Sequence, residues 1–201
     1  MDVSLYSEFG VPILRQEKIY NFSRKEKEFI FTHPTKLNPS SLNLLSDSRY
    51  VLEHKKFKKF KKFIEETLKY YSSIVLEFKD SSHFYVTESW FNHNKPGTWH
   101  HAHWHPNSII SGVYCLEGAS TPIILERSER LFPGFMFNYK KYNKYTCLDR
   151  TFHLKEGSFL LFPSSTIHYV PKNKTSKTRT TFSFNTFIKG DVGFEHSELK
   201  L

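Results

Sequence analysis

TWHHAHWHPNSIISGVYCLE, residues 98–117, joins a histidine cluster to an apolar run. His100, His101, His103 and His105 lie within it, and His93 stands just upstream. A strand carrying His-x-His points both rings to one side, because side chains alternate faces with period two. Neutral imidazole is the commonest metal ligand, so two such rings need only a third donor from elsewhere. His101, His103 and His105 all fall on one face of an extended strand, which leaves His101/His103 and His103/His105 open as the pair.

The apolar half, SIISGVYCLEG, has counterparts along the chain. SIVLEF, HFYVTESWFN, TPIILER, FHLKEGSFLLFP, HYVP and RTTFSFNTFIK are all short, apolar and bounded by turn residues. With SIISGVYCLEG they make seven strand-like runs at a spacing that suggests a sandwich or barrel rather than alternating β/α units. Aromatics at 17% and only two alanines, Ala102 and Ala119, favour strands as well.

The 201 residues suit one domain with a real core. We divide it into an N-terminal strand with supporting helices (1–75), a β core (76–190) and a tail (191–201). Residues 8–20, with Pro12, read as a short edge strand. Residues 21–50 read as irregular with one short helix. Residues 52–73 are the strong helix, with Leu52, Phe57, Phe60, Ile64, Leu68 and Tyr71 at three-to-four spacing. Lys55, Lys56, Lys58, Lys59, Lys61 and Lys62 occupy its other faces and read first as a solvated surface.

Formal charge is +9, which raises nucleic acid as a partner. Six of those charges belong to the lysine-rich helix, so the rest of the molecule is near neutral. Cys115 and Cys147 form no CxxC pattern or disulfide framework, consistent with a reducing, cytoplasmic setting. The sequence MDVSLYSEFG lacks the apolar core of a signal peptide, and no apolar run approaches a membrane span. Between Glu126 and Thr151 lies a long insertion, rich in aromatics and lysine over 127–147. It reads either as a binding loop or lid or as a hairpin with its own apolar cluster.

A third donor appears at His168, in GSFLLFPSSTIHYVPKN. Beyond it RTTFSFNTF alternates strictly. Arg179, Thr181, Ser183 and Asn185 share one face, and Thr180, Phe182, Phe184 and Thr186 the other. The polar face either meets water or lines a cavity in which Arg179 could grip a carboxylate.

SWFN, the run from Gly97 through Trp99 and the histidines to Pro106-Asn107-Ser108, SGVYCL, FPSSTIHYVP and RTTFSFN together resemble the Fe(II)- and 2-oxoglutarate-dependent oxygenases. They are most similar to an oxygenase branch carrying H-x-H-P-x-S-x-x-S-G-x-Y-Y, many of whose members are phage-encoded. The resemblance covers residues 84–190. It implies a double-stranded β-helix, a cupin-like jelly-roll barrel with flanking helices, and Fe(II) and 2-oxoglutarate as cofactor and cosubstrate. In a phage protein the compartment would be the host cytoplasm. It implies His103 and His105 as the upstream ligands and His168 as the distal one. It places Arg179, with Thr181, on the far carboxylate of 2-oxoglutarate, and gives Asn92 as a further cosubstrate contact. Trp99, His101 and Asn185 become substrate-lining candidates, while His93 and His153 read as structural.

Two positions depart from the family pattern. His105 stands where the family carries Asp or Glu, which leaves a bound metal one unit more positive. Cys115 stands where relatives often carry a second Tyr. The alternatives are a cupin-like three-histidine metalloenzyme that does not use 2-oxoglutarate, and a non-catalytic metal-binding barrel. Arg179 with Thr181 discriminates, because neither alternative needs a carboxylate clamp. Nucleic-acid demethylases of the superfamily carry a second Arg six residues after the first. Asn185 occupies that position here, which disfavours nucleic acid and leaves a small molecule or a protein as substrate. The edge strand makes a homodimer an expectation.

Overall fold

Apolar alternation in the second half of the chain becomes two antiparallel sheets. The computed structural model describes residues 10–17, 20–79, 82–118, 121–128, 133–193 and 197–201. Among them are β1 (Leu14–Glu17), α1 (Arg24–Thr32), β2 (Thr35–Leu37), β3 (Leu44–Ser46), α2 (Lys58–Tyr70), β4 (Ser82–Asn94), β5 (His100–His103), β6 (Ile110–Glu117), β7 (Ile123–Glu126), β8 (Asp149–Phe152), β9 (Ser158–Pro163), β10 (His168–Val170), β11 (Arg179–Val192) and β12 (Leu199–Lys200).

The larger sheet runs β1-β9-β6-β11-β4-β3-β2, with β12 paired to the far end of β11. The smaller runs β5-β10-β7-β8. Nearly every residue of β6 is buried, as expected of a strand whose sheet is covered on both faces. Its odd positions point between the sheets. Val113 and Cys115 pack there with Leu160 and Phe162 of β9 and with Ile123 and Leu125 of β7. Its even positions point outward, where Tyr114 joins Phe182 and Phe184 of β11, Phe159 and Leu161 of β9, and Phe57, Phe60, Phe63 and Ile64 of the helical layer. Phe60 sits at 5.0 Å from Phe182 and 5.4 Å from Tyr114, both edge-on. Each fully buried ring contributes about 1.5–3 kcal/mol through apolar burial alone. Gly112 on β6 is fixed by this packing, since a Cβ there would overlap the Phe184 ring and sit 2.9 Å from Leu161. This is the two-sheet jelly roll, with helices on the outer face of the larger sheet.

Several sequence expectations are corrected. The helix expected over 52–73 opens instead as two 3₁₀ turns, Val51–Glu53 and Lys55–Phe57, before α2. His54 between them is extended, and its Nδ1 accepts from the Lys56 amide. All six expected apolar positions are nonetheless buried. SIVLEF is not a strand: Tyr71–Val75 continues α2 as a π turn. Buried Tyr71 donates to the Pro12 carbonyl at 2.7 Å and ties that turn to the chain entering β1. FHLKEGSFLLFP is two elements, because the chain turns at Gly157 (φ 83°) between β8 and β9. The stretch 21–50 is more regular than expected. Ser23 and Glu26 form a reciprocal capping box on α1, and β2 and β3 extend the larger sheet beside β4. Of the expected edge strand 8–20, residues 14–17 form β1 on the sheet edge, and residues 8, 9, 18 and 19 lie outside the described residues.

Candidate metal centre

β5 and β10 lie side by side in the smaller sheet, with His103 opposite His168 and His100 opposite Val170. Two residues of β5, His101 and Ala102, therefore oppose the single Tyr169 of β10, which is a bulge. The bulge breaks the alternation read from the sequence. His100 and His103 both face inward, stacked at 4.3 Å with 24° between planes, while His101 is exposed. β5 also ends at His103, so strand alternation does not position His105. Its amide donates to the Ser164 carbonyl at 3.0 Å instead. The Ser164 hydroxyl bonds those of Ser108 (2.7 Å) and Ser111 (2.8 Å). The two segments that carry the expected ligands, His-Pro-Asn-Ser and Pro-Ser-Ser, are thereby tied together.

The result is a cluster in which one nitrogen from each of His103, His105 and His168 lies within 4.8 Å of the others. The second nitrogens of His103 and His168 are engaged. His103 Nδ1 donates to the His101 carbonyl (2.8 Å) and His168 Nδ1 to the Thr166 carbonyl (2.9 Å). A carbonyl only accepts, so these bonds fix the proton on Nδ1 and leave Nε2 as the lone-pair donor, as in metal-binding histidines generally. Burial, reinforced by the neighbouring histidines, lowers His105 to about 2 and His168 to about 3. Burial lowers His103 too. All three are neutral at physiological pH, the state a metal requires.

The same cleft is lined by Trp90, Asn94, Phe162, Arg179, Thr181 and Ser183. The polar face of β11 thus lines a cavity, which settles the choice left open by its alternation. Arg179 is 2% exposed, and its Nε and Nη2 have no hydrogen-bond partner. Burial pulls its pKa down, but a guanidinium starts so high that it stays charged. An unpartnered buried charge is strongly unfavourable unless something completes it, and a carboxylate is the matching shape. Asn94, opposite Arg179 in the β4–β11 register, is fully buried with both amide atoms unpartnered. Sequence reasoning missed Asn94, which looks like a turn residue at a strand end, and did not separate His100 from His101 as the inward ring, because the bulge hides it.

Thr181, 1% exposed, lies between Cys115 and Asn92 on its neighbouring strands. Asn92 lines the cleft, and its amide is engaged by Ser183 (2.9 Å) and Trp90 (3.2 Å). Of the substrate-lining candidates, His101 stays beside the histidines, its ring 5.3 Å from His100 and 5.1 Å from His103, although it is exposed. Trp99 and His101 border an outer groove with Glu126 and Tyr169. Asn185 is buried and accepts from Ser111 (2.9 Å). His93 meets Thr180 on the opposite face of the sheet. The insertion has no regular element among residues 133–147. Its exposed Phe135, Phe137 and Tyr142 border a pocket of their own with Tyr139 and Tyr145.

Residues 88–185 match the model of a family described as "Putative 2OG-Fe(II) oxygenase". Among solved structures, a prolyl-4-hydroxylase from Pseudomonas putida superposes with a TM-score of 0.58 at 11% identity, over 87% of this chain and 92% of that one. HygX from Streptomyces hygroscopicus, crystallised with nickel and 2-oxoglutarate, gives 0.60 at 8% identity over 88% and 82%. The α-ketoglutarate-dependent epimerase SnoN from nogalamycin biosynthesis gives 0.63 at 8% identity over 90% and 81%. No curated protein matches the sequence. At such identities the structures speak for the fold. The family match is carried by residues 88–185, which hold the three histidines, Asn94, Arg179 and Thr181, all of them lining the cleft.

Proposed function

We propose that the protein is an Fe(II)- and 2-oxoglutarate-dependent dioxygenase that hydroxylates its substrate, with His103, His105 and His168 holding the metal. The observation that carries this reading is Arg179, a buried guanidinium with unpartnered nitrogens in the cleft that holds the three histidines. A cupin-like enzyme without 2-oxoglutarate, or a non-catalytic barrel, would leave that charge uncompensated.

When bound, iron supplies oxygen activation coupled to decarboxylation of 2-oxoglutarate, giving succinate, carbon dioxide and a hydroxylated C–H bond. The chain's own residues hold and orient. Arg179 donates paired hydrogen bonds to the distal carboxylate of the cosubstrate, Thr181 adds its hydroxyl and Asn94 its amide. The backbone bonds at Nδ1 of His103 and His168 keep those rings in one tautomer and orientation. Trp90, Val113, Ile123 and Phe162 give the cleft apolar walls that limit water. The insertion, residues 127–147, would select a small molecule or a protein side chain. Asn185, committed to Ser111, offers no second cation for a nucleic-acid backbone.

Two free cysteines suit the cytoplasm. No helix among the described residues is long and apolar enough to cross a membrane. β1, at the sheet edge, offers a pairing side to a second copy.

Two variants test the site. Arg179→Ala abolishes 2-oxoglutarate binding and 2-oxoglutarate-dependent succinate release while metal content stays unchanged. Unaltered succinate release in that variant would sink the clamp. His168→Ala loses metal by elemental analysis, and full occupancy would remove His168 from the ligand set.

A further inference from the structure

The charge inventory of the cleft is one-sided. Its titratable lining residues are His100, His103, His105, His168 and Arg179, with no Asp or Glu among the described residues that form it. The carboxylates nearby are committed elsewhere. Glu88 pairs with Arg49 at 2.6 Å. Glu117 accepts from Thr180 on the far side of its strand. Glu126 borders the outer groove, one residue beyond inward-facing Leu125.

On the reading proposed above, a divalent metal and Arg179 bring three positive charges into this space. The two carboxylates of 2-oxoglutarate bring two negative ones. A site with two histidines and one carboxylate would then be neutral, whereas this one keeps one positive charge, because His105 is neutral where a carboxylate would stand. An uncompensated charge in a buried cleft is costly, so the arrangement favours an additional anion near the metal.

The insertion carries the same sign. The insertion leaves the smaller sheet at the metal end. The Glu126 amide bonds the carbonyl of Ile167, the residue before His168, and the Arg127 amide bonds the Leu148 carbonyl across the insertion's base. Residues 133–148 contain Lys140, Lys141 and Lys144, all exposed, and no acidic residue. Such a surface raises the local concentration of anions.

We infer that this cleft takes an anionic substrate, one whose carboxylate or comparable monoanionic group lies close to His103, His105 and His168 and supplies the negative charge that His105 does not. This rests on the metal and 2-oxoglutarate assignment made above. It assigns a substrate class that the site's ligand geometry alone does not.

Cobalt(II) in place of iron gives a readout independent of turnover, because its visible absorption responds to a new ligand. The protein loaded with cobalt(II) and 2-oxoglutarate is titrated with azide, with acetate, and with acetonitrile as a neutral control. Binding of 2-oxoglutarate is checked separately by calorimetry. Azide and acetate are expected to shift the spectrum saturably, and acetonitrile is not. In His105→Asp the anion affinity should fall by about tenfold or more, the effect of one added negative charge a few ångströms away. His105→Glu makes the same comparison if the shorter side chain loses the metal, and the contrast between anions and acetonitrile in the unaltered protein stands without either variant. No anion response with 2-oxoglutarate bound, an equal response to acetonitrile, or equal anion affinity in the His105 variants overturns the inference and leaves the cosubstrate assignment intact. Failure of cobalt or 2-oxoglutarate to bind overturns both.

Discussion

The two faces of β11 do opposite work. Phe182 and Phe184 point outward into a closed aromatic layer with Phe60, Tyr114 and Phe159, where every ring meets another. Arg179, Thr181 and Ser183 point inward to a cleft where buried polar groups lack partners. One face stores stability and the other stores unmet bonding capacity. A single strand can carry both because its side chains alternate, so each task is assigned to its own set of positions. Such local violations of polar satisfaction are expected at functional sites, where a ligand completes them.

The comparison can be broken most severely from the outer face. Phe182→Ala should lower unfolding free energy by about 3–5 kcal/mol, measured by urea denaturation, with the metal stoichiometry of the remaining folded protein unchanged. Gly112→Ala pushes a methyl group toward Phe184 and should cost about 1–3 kcal/mol by overpacking. A neutral result there would mean that the outer layer yields more easily than its packing indicates.

The inner face should respond with the opposite sign. Arg179→Met removes an uncompensated buried charge, so the metal-free protein should gain about 1 kcal/mol or more, while 2-oxoglutarate no longer raises its melting temperature. A loss of stability would show that Arg179 is structural. Acid tests the same face. Burial holds His100 and His105 at about 2 and His168 at about 3, against 6.5 for a free ring. Above pH 6.5 folded and unfolded chains both carry neutral rings, so their full contribution is present. As pH falls below that, only the unfolded chain takes up protons, and stability drains away toward pH 3. The melting temperature of the metal-free protein should therefore drop steadily from pH 6.5 to pH 4, and a flat profile would mean the rings protonate in place. The smallest effect belongs to Trp99, 38% exposed and outside the cleft. Trp99→Ala should stay within about 0.5 kcal/mol and leave metal affinity unchanged.

The outer face was the more legible in sequence. Leu52, Phe57, Phe60, Ile64, Leu68 and Tyr71 announce a buried stripe by spacing alone, and all are buried. The alternation of RTTFSFN places Phe182 and Phe184 opposite Arg179 and Thr181. What was misread depends on tertiary partners. SIVLEF has the composition of a strand but is drawn into a π turn by the anchoring of Tyr71 on Pro12. β2 and β3 are three-residue strands that exist only because β4 offers them an edge. In the cleft, no glycine or turn residue marks the bulge in His100-His101-Ala102-His103, so the inward pair could not be read from periodicity. Asn94 gives no local signal, because its role depends on Arg179 lying opposite it, eighty-five residues later in the sequence.

That bulge has a consequence for how this site can change over time. Deleting one residue at Ala102 would restore plain alternation in β5, with His100 two positions from His103 and still inward and His101 between them facing out. A single-codon length change would thus remove the bulge while His100 and His103 keep their inward faces. Substitutions at the same positions act more gently, because the backbone register survives them. Lineages related to this chain should therefore be compared by the number of residues between Gly97 and His103, since matching histidines column by column would pair rings that face opposite sides of the sheet.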